Sequence, residues 1–316
     1  MNGGAIDITL VATHPRGTFA RLPNLKLVQS MWMGVETLVA DPELPRHVPL
    51  ARLIDPGMVH AMAETVLAHV LDWHRHHYYY RRMQREGRWS RLEQLLPSDR
   101  TVGLLGLGEL GSYVAEKLLA LGFNVRGWSR RPKALPRVKC TTDVDELLAH
   151  SQALVCLLPL TPQTRGILNA SAFARMPKGG CIINVARGAH LIVEDLIAAL
   201  DAGQLAHAYL DVFDPEPLPA SSPLWKHPGV TVTPHVAALT EPRTALAKIV
   251  ENVERVAQVQ LYAMWTGQKL KSLPQPIIEQ TMRTIGGPKY GGKPHWEHHY
   301  AALKRLLDRR EPEYRD

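Results

Sequence analysis

TVGLLGLGELGSYVAEKLLALG, residues 101–122, decides the fold of this chain. Residues 101–105 are a short apolar run that ends in glycine, which reads as a buried strand. Gly106, Gly108 and Gly111 follow in G-x-G-x-x-G order. Beyond them apolar residues recur at helical spacing up to Gly122, a helix stop. A strand that enters and a helix that leaves give the glycine loop its weight. Gly106 permits a tight turn, Gly108 lets the backbone approach a pyrophosphate, and Gly111 allows close helix packing. The amino end of the helix, through the amides around Glu109 and Leu110, offers free N–H groups and partial positive charge to phosphates.

The next strand is NVRGWS, residues 124–129. At its tip a dinucleotide site often carries an acid for the ribose hydroxyls. This chain has Ser129, Arg130 and Arg131 there. An acid would repel a 2′-phosphate, whereas arginine's planar fork suits phosphate oxygens. Ser129 adds a hydrogen bond. The alternative is two solvated loop arginines, but the missing acid and the added cations point the same way. The expected cofactor is NADP(H), preferred over NAD(H).

Strands and helices then alternate. VDELLAHS reads as a helix, ALVCLLPL a strand, SAFARMPKGG a helix and CIINVAR a strand. EDLIAALDAGQL follows as a helix, and AHAYLDVF and VTVTPH as strands. Alternation of this kind builds an α/β fold, a Rossmann-type doubly wound parallel sheet with helices on both faces. Ligands sit beyond the carboxyl ends of such strands. Three of those ends carry chemistry: Arg187 in NVARG, Asp211 and Glu216 in DVFDPEPLP, and His235 in TPHVAA. Each alone is more often structural; together they can converge on one cleft. Upstream, residues 57–87 read as one long helix. Its HRHHYYYRR segment suits an exposed face or subunit contact better than a metal site. A second long helix fits residues 241–267.

At these residues the chain resembles the D-isomer-specific 2-hydroxyacid dehydrogenases, most closely their bacterial glyoxylate/hydroxypyruvate reductase branch. The matching segments are 48–67, 104–118, 128–133, 157–169, 183–219 and 222–238, within a resemblance covering roughly residues 5–267. The resemblance implies that Arg187 binds the substrate carboxylate and keto oxygen. It makes His235 the general acid–base, oriented and favoured in its protonated form by Glu216. Met33 and Gly34 fall on the loop whose amides hold the substrate carboxylate. Leu158, Pro159, Thr164, Val185, Ala186 and Asp211 fall on cofactor-lining positions. The implied activity is NADPH-dependent reduction of small 2-keto acids, glyoxylate and hydroxypyruvate, to 2-hydroxy acids. Histidine ordinarily titrates near neutrality, which suits a proton donor to the alkoxide that hydride transfer creates. A homodimer is also implied, with Trp89 reaching the neighbouring subunit. The rival from another class is an NADP(H)-sensing, corepressor-like module of the same fold; it would not need the Arg–Glu–His set.

The chain departs from the family in three places. Members open with a further βα unit, so the smaller, flavodoxin-like substrate domain is expected to be truncated at its amino end. The substrate loop carries Met31, Trp32 and Met33 where small residues are usual, and Glu36 where the family has aspartate. Those side chains either narrow the pocket or pack into the core. Residues 268–316 extend beyond the family's usual end. The expected organisation is residues 1–56 as first part of the substrate domain and 57–237 as the NADP-binding domain. Residues 238–267 are expected to form a return helix to the substrate domain and 268–316 an extension.

Composition bounds the rest. The 316 residues carry a net charge of +7, but bases alternate with acids, as in LKRLLDRREPEYRD at residues 303–316. That mixture suits a solvated surface and an anionic ligand better than nucleic acid. No apolar run is long enough for a membrane span and no signal peptide is evident. Three scattered cysteines form no metal or disulfide spacing, so a cytoplasmic protein without metal is expected.

Overall fold

Seven parallel strands form the larger sheet: β4 (Thr101–Leu105), β5 (Asn124–Trp128), β6 (Lys139–Thr141), β7 (Ala153–Cys156), β8 (Gly180–Asn184), β9 (Leu205–Leu210) and β10 (Val230–Val232). Their order is β10-β9-β8-β7-β4-β5-β6, and every pairing is parallel. The first strand of the sheet, β4, lies between β7 and β5, so the winding reverses there. A crevice for ligands opens at that point. The computed structural model describes residues 6–12, 14–239, 245 and 247–254. The chain divides into two units, Met1–Leu246 and Ala247–Asp316. In the second, residues 247–254 are helical. Most of the helix expected over 241–267, and all of 268–316, lie outside the described residues.

The strands read as continuous apolar runs because both faces are covered. Along β4 and β7, Val102, Leu104, Ala153 and Val155 face one core, while Leu105, Leu154 and Cys156 face the other. The first core is closed by α2 (Pro56–His74) and α4 (Glu109–Ala120), through Val66, Val70, Trp73, Val114 and Leu118. The second is closed by α5 (Val144–His150), α6 (Ala170–Arg175) and α7 (Val193–Asp201), through Leu147, Phe173 and Leu196. A period of two within an apolar run is what a sheet buried on both sides requires. A smaller parallel sheet comprises β1 (Ile8–Val11), β2 (Leu27–Ser30) and β3 (Leu50–Ala51). The short helix α1 (Glu36–Ala40) follows β2. Asp55 starts α2 by accepting from Gly57 N at 2.8 Å and Met58 N at 3.2 Å, with Pro56 in the first turn. No described helix is long and apolar enough to cross a membrane.

Two expectations are corrected. The helix over 57–87 is two helices, α2 and α3 (His77–Arg85), broken at His76, whose φ is +59°. His74 is buried edge-on against Phe123 at 5.1 Å, and the break swings Tyr78 onto His207 at 4.7 Å. The HRHHYYY segment is therefore partly core, not an exposed face. The short strand β6 was also unreadable: three residues at the sheet edge, with Lys139 exposed, carry no periodic pattern.

Beneath α2 lies a polar cluster. Tyr209 donates to Asp72, which also receives Arg81 at 2.6 Å. His69 stacks on Tyr209 and His207 packs beside it, each at 4.7 Å. His207 Nε2 lies 2.9 Å from Thr231 Oγ1, while Nδ1 is buried without a partner among the described residues. Burial pulls the His207 pKa down to about 3, and lowers those of His69 and His74. In the unfolded chain these groups bind protons below about 6.5. Their stabilisation is therefore complete above pH 6.5 and is lost as pH falls towards the folded value. Denaturant unfolding free energy is expected to drop between pH 7 and pH 5, by up to about 1.4 kcal/mol per pH unit for each buried histidine. His207→Gln, which can still reach Thr231, should flatten that slope; an unchanged slope would refute the assignment.

Candidate functional site

The carboxyl ends of β8, β9 and β10 are neighbours, and each sends a loop carrying one of the expected residues. Asp211 directly follows β9 and is buried. Its carboxylate accepts from Thr233 Oγ1 at 2.6 Å, and from the amides of Val236 and Ala237, each at 2.9 Å. Its carbonyl accepts from His235 N at 2.8 Å. This folds residues 233–237 into a tight turn with His235 in the left-handed region at φ +54°. Thr65 on α2 donates to Ala237 O at 3.1 Å and braces the turn from behind. The oxygens of Asp211, a residue at an expected cofactor-lining position, organise the histidine turn.

His235 Nδ1 lies 2.8 Å from Glu216 Oε2, with the imidazole half-exposed. A carboxylate oxygen accepts, so Nδ1 is the donor of this hydrogen bond. Glu216 is fixed in turn by Phe213, whose amide donates to Oε1 at 2.9 Å. Phe213 ties this pair to the neighbouring loop. A Cβ on Gly188 would sit 1.9 Å from the Phe213 carbonyl carbon, so the loop after β8 rests directly on the loop after β9.

Arg187 precedes that glycine. Its Nη1 donates to Ala186 O at 2.6 Å, and its Nη2 lies 3.3 Å from Glu36 Oε2. The guanidinium covers Gly34, where a Cβ would fall 1.6 Å from Nη2. Arg187, Gly34 and Glu36 thus meet at one point of the cleft. The amides of Met33 and Gly34 have no acceptor among the described residues. Met31 and Trp32 are 37% and 45% exposed, so of the two readings open for this loop these side chains do not follow packing into the core. The sequence reading gave no role to Asn184 or His190. Asn184 accepts from Ala186 N at 3.2 Å and donates to Arg187 O at 3.0 Å. His190 Nδ1 lies 3.1 Å from the same Arg187 oxygen, and burial lowers its pKa. A polar residue inside the apolar run CIINVAR was the available signal, since a buried amide must find partners.

At the glycine loop the expected features are present. Gly106 has φ +107° and a Cβ there would lie 3.0 Å from Leu157 O. Gly111 approaches Gly106 O so closely that a Cβ would be 1.9 Å away, whereas Gly108 faces open space. The start of α4 has no side-chain cap, leaving its amides to a ligand. Glu109 is exposed, and Leu110 packs against the core. Leu158, Val185 and Ala186 are buried, and Pro159 is exposed. Thr164 Oγ1 donates to Pro159 O at 2.8 Å and accepts from Thr161 N at 2.8 Å, so it shapes the loop after β7. Ser129 Oγ donates to Arg131 O at 2.8 Å. Arg130 and Arg131 are exposed and have no ion pair among the described residues. Lys133, which the sequence reading passed over, donates to Leu107 O and lies 3.2 Å from Ser112 Oγ. It adds a third cation beside the loop.

Asp211→Asn puts an amide N–H₂ against N–H donors. It is expected to cost about 1–3 kcal/mol in denaturant unfolding and to release the His235–Glu216 pair in a crystal structure. An intact turn at unchanged stability would show that Asp211 does not organise it.

A family model described as D-isomer specific 2-hydroxyacid dehydrogenase, NAD binding domain, matches residues 67–237. A glyoxylate/hydroxypyruvate reductase A of Serratia proteamaculans is 43% identical over 255 residues, 78% of this chain and 82% of that one. The protein of the same name from Yersinia enterocolitica is 44% identical over 256 residues, with the same shares. Among solved structures, a D-isomer specific 2-hydroxyacid dehydrogenase from Xanthobacter autotrophicus Py2, in complex with NADPH and MES, has a TM-score of 0.79 and 45% identity, covering 87% of this chain and 86% of that one. The NADPH-dependent glyoxylate/hydroxypyruvate reductase of Sinorhizobium meliloti, in complex with NADP and sulfate, has a TM-score of 0.75 and 36% identity, covering 86% of each chain. The parallel sheets, the uncapped glycine loop and these likenesses agree: the chain belongs to the D-isomer specific 2-hydroxyacid dehydrogenase family.

Proposed function

We propose that the protein is an NADPH-dependent reductase of small 2-keto acids, with glyoxylate and hydroxypyruvate as its substrates. The observation that carries this reading is the continuous link from His235 through Glu216 and Phe213 to the loop of Arg187. A proton donor and an anion clamp are thereby held on one frame. The cofactor fits what the chain offers. Open space at Gly108, free amides at the start of α4 and two unpaired arginines at the rim suit a pyrophosphate and a 2′-phosphate.

When bound, the reduced nicotinamide supplies the hydride. The chain does the rest. Arg187, with the amides of Met33 and Gly34, holds the keto acid's carboxylate and its carbonyl oxygen. His235 gives a proton from Nε2 to that oxygen as negative charge develops. Glu216 keeps the ring oriented through Nδ1. Fixing donor and clamp in one geometry supplies proximity that free reactants lack. Relatives named as reductases do not favour a sensing, corepressor-like module.

We also place the protein in the cytoplasm as a homodimer. In support, Cys140, Cys156 and Cys181 are free thiols. Trp89 is 91% exposed on the loop after α3, which suits a side chain that meets a second subunit. The small sheet serves as part of the substrate domain (residues 1–56) and the large sheet as the cofactor domain (residues 57–237).

Oxidation of NADPH, followed by absorbance with glyoxylate and with hydroxypyruvate, tests the function. His235→Ala is expected to lower kcat by about 100-fold or more; turnover of neither acid, or full activity in the variant, overturns the reading. Replacing Arg130 and Arg131 together by glutamine should raise KM for NADPH about tenfold or more and leave NADH within about twofold. Equal effects on both cofactors would remove the arginine rim from the argument.

A further inference from the structure

The clamp arginine is not alone. Glu36 Oε2 lies 3.3 Å from Arg187 Nη2, and the two side chains are 31% and 34% exposed, so the pair is partly open to solvent. Gly34 makes the pairing possible, because a Cβ there would lie 1.6 Å from Nη2 and 2.6 Å from Glu36 Oε2. The other terminal nitrogen, Nη1, is held by Ala186 O at 2.6 Å. Glu36 itself opens α1, whose backbone begins with Val39 N donating to Val35 O at 2.8 Å. The carboxylate is thus anchored from the small sheet and the guanidinium from the large one.

We infer that Glu36 is a specificity-determining residue that limits the substrate to one negative charge. This rests on the keto-acid reading of the site. The physical basis is a charge count. Arg187 and Glu36 together carry no net charge, yet the guanidinium keeps N–H donors beyond the two that Glu36 and Ala186 use. One substrate carboxylate can be held by those donors and by the amides of Met33 and Gly34. A second carboxylate, on the substrate's side chain, meets the Glu36 charge with no cation from this pair to offset it. Two like charges about 6–8 Å apart in a partly solvated site repel strongly enough to cost about tenfold or more in binding. A hydrogen or hydroxymethyl side chain meets no such penalty.

The test compares Glu36→Gln with Glu36→Asp. Glutamine keeps the size and an acceptor for Arg187 but removes the charge; aspartate keeps the charge. We expect kcat/KM for oxaloacetate relative to glyoxylate, with NADPH, to rise about tenfold in Glu36→Gln and to stay within about twofold of the native ratio in Glu36→Asp. An unchanged ratio in Glu36→Gln overturns the inference. So does an equal rise in both variants, because shape rather than charge would then be the cause. Acetate and malonate, titrated by calorimetry against the protein with NADP⁺, give a second readout. Glu36→Gln should tighten malonate more than acetate, and equal changes overturn the inference. If the native protein reduces no keto acid, the proposed function fails, while the anion titration still decides the role of Glu36.

Discussion

The Asp211 carboxylate is the constraint on which the site depends. A buried charge just beyond the end of a strand is costly unless its oxygens are satisfied. Here Thr233 and the amides of Val236 and Ala237 satisfy them. Those three bonds can form only if the chain between them turns back sharply, and the turn drives His235 to φ +54°. A left-handed non-glycine residue costs of the order of 1–3 kcal/mol. Hydrogen bonds to a buried carboxylate, at about 1.5–3 kcal/mol each, offset that strain. The imidazole is thereby aimed at Glu216 by backbone geometry and does not depend on side-chain packing.

Close approaches at glycines do the remaining alignment. Gly188 lets the Arg187 loop lie on the Phe213 backbone, and Gly34 lets the guanidinium lie on the substrate loop. A methyl group at Gly188 would strike the Phe213 backbone, and one at Gly34 would displace the Arg187 and Glu36 side-chain ends. Residues from β8, β9, β10 and the small sheet are registered to within the width of an atom, although they are far apart in the chain. The Arg187–Glu36 pair then spans the two sheets, so the charge of the cleft is set by residues 151 positions apart.

Much of this was legible in advance because buried parallel strands and their helices leave strong patterns. Residues 101–122 gave the strand, the loop and the helix, and the later alternation gave the sheet. The long helix failed at His76 because a left-handed residue within a polar stretch has no periodic signature; the packing of His74 and Tyr78 decides it. The edge strand β6 failed because three half-exposed residues carry too little pattern. Among site residues, Arg187, Glu216 and His235 were legible as polar residues at strand ends, while Asn184 and His190 were not. Their work is to hold the Arg187 carbonyl, a local bond that spacing does not announce.

The sequence by itself determined the doubly wound sheet, the place of the phosphate-binding loop and the residue types at three strand ends. These follow from local periodicity and from glycine stereochemistry, which act over a few residues. Only the tertiary structure decided that Asp211 builds the turn of His235, that Glu36 faces Arg187, and that a third cation, Lys133, lies beside the glycine loop. Those are contacts between distant segments. Their existence depends on how side chains a few ångströms apart satisfy buried charge, and no one-dimensional pattern records that.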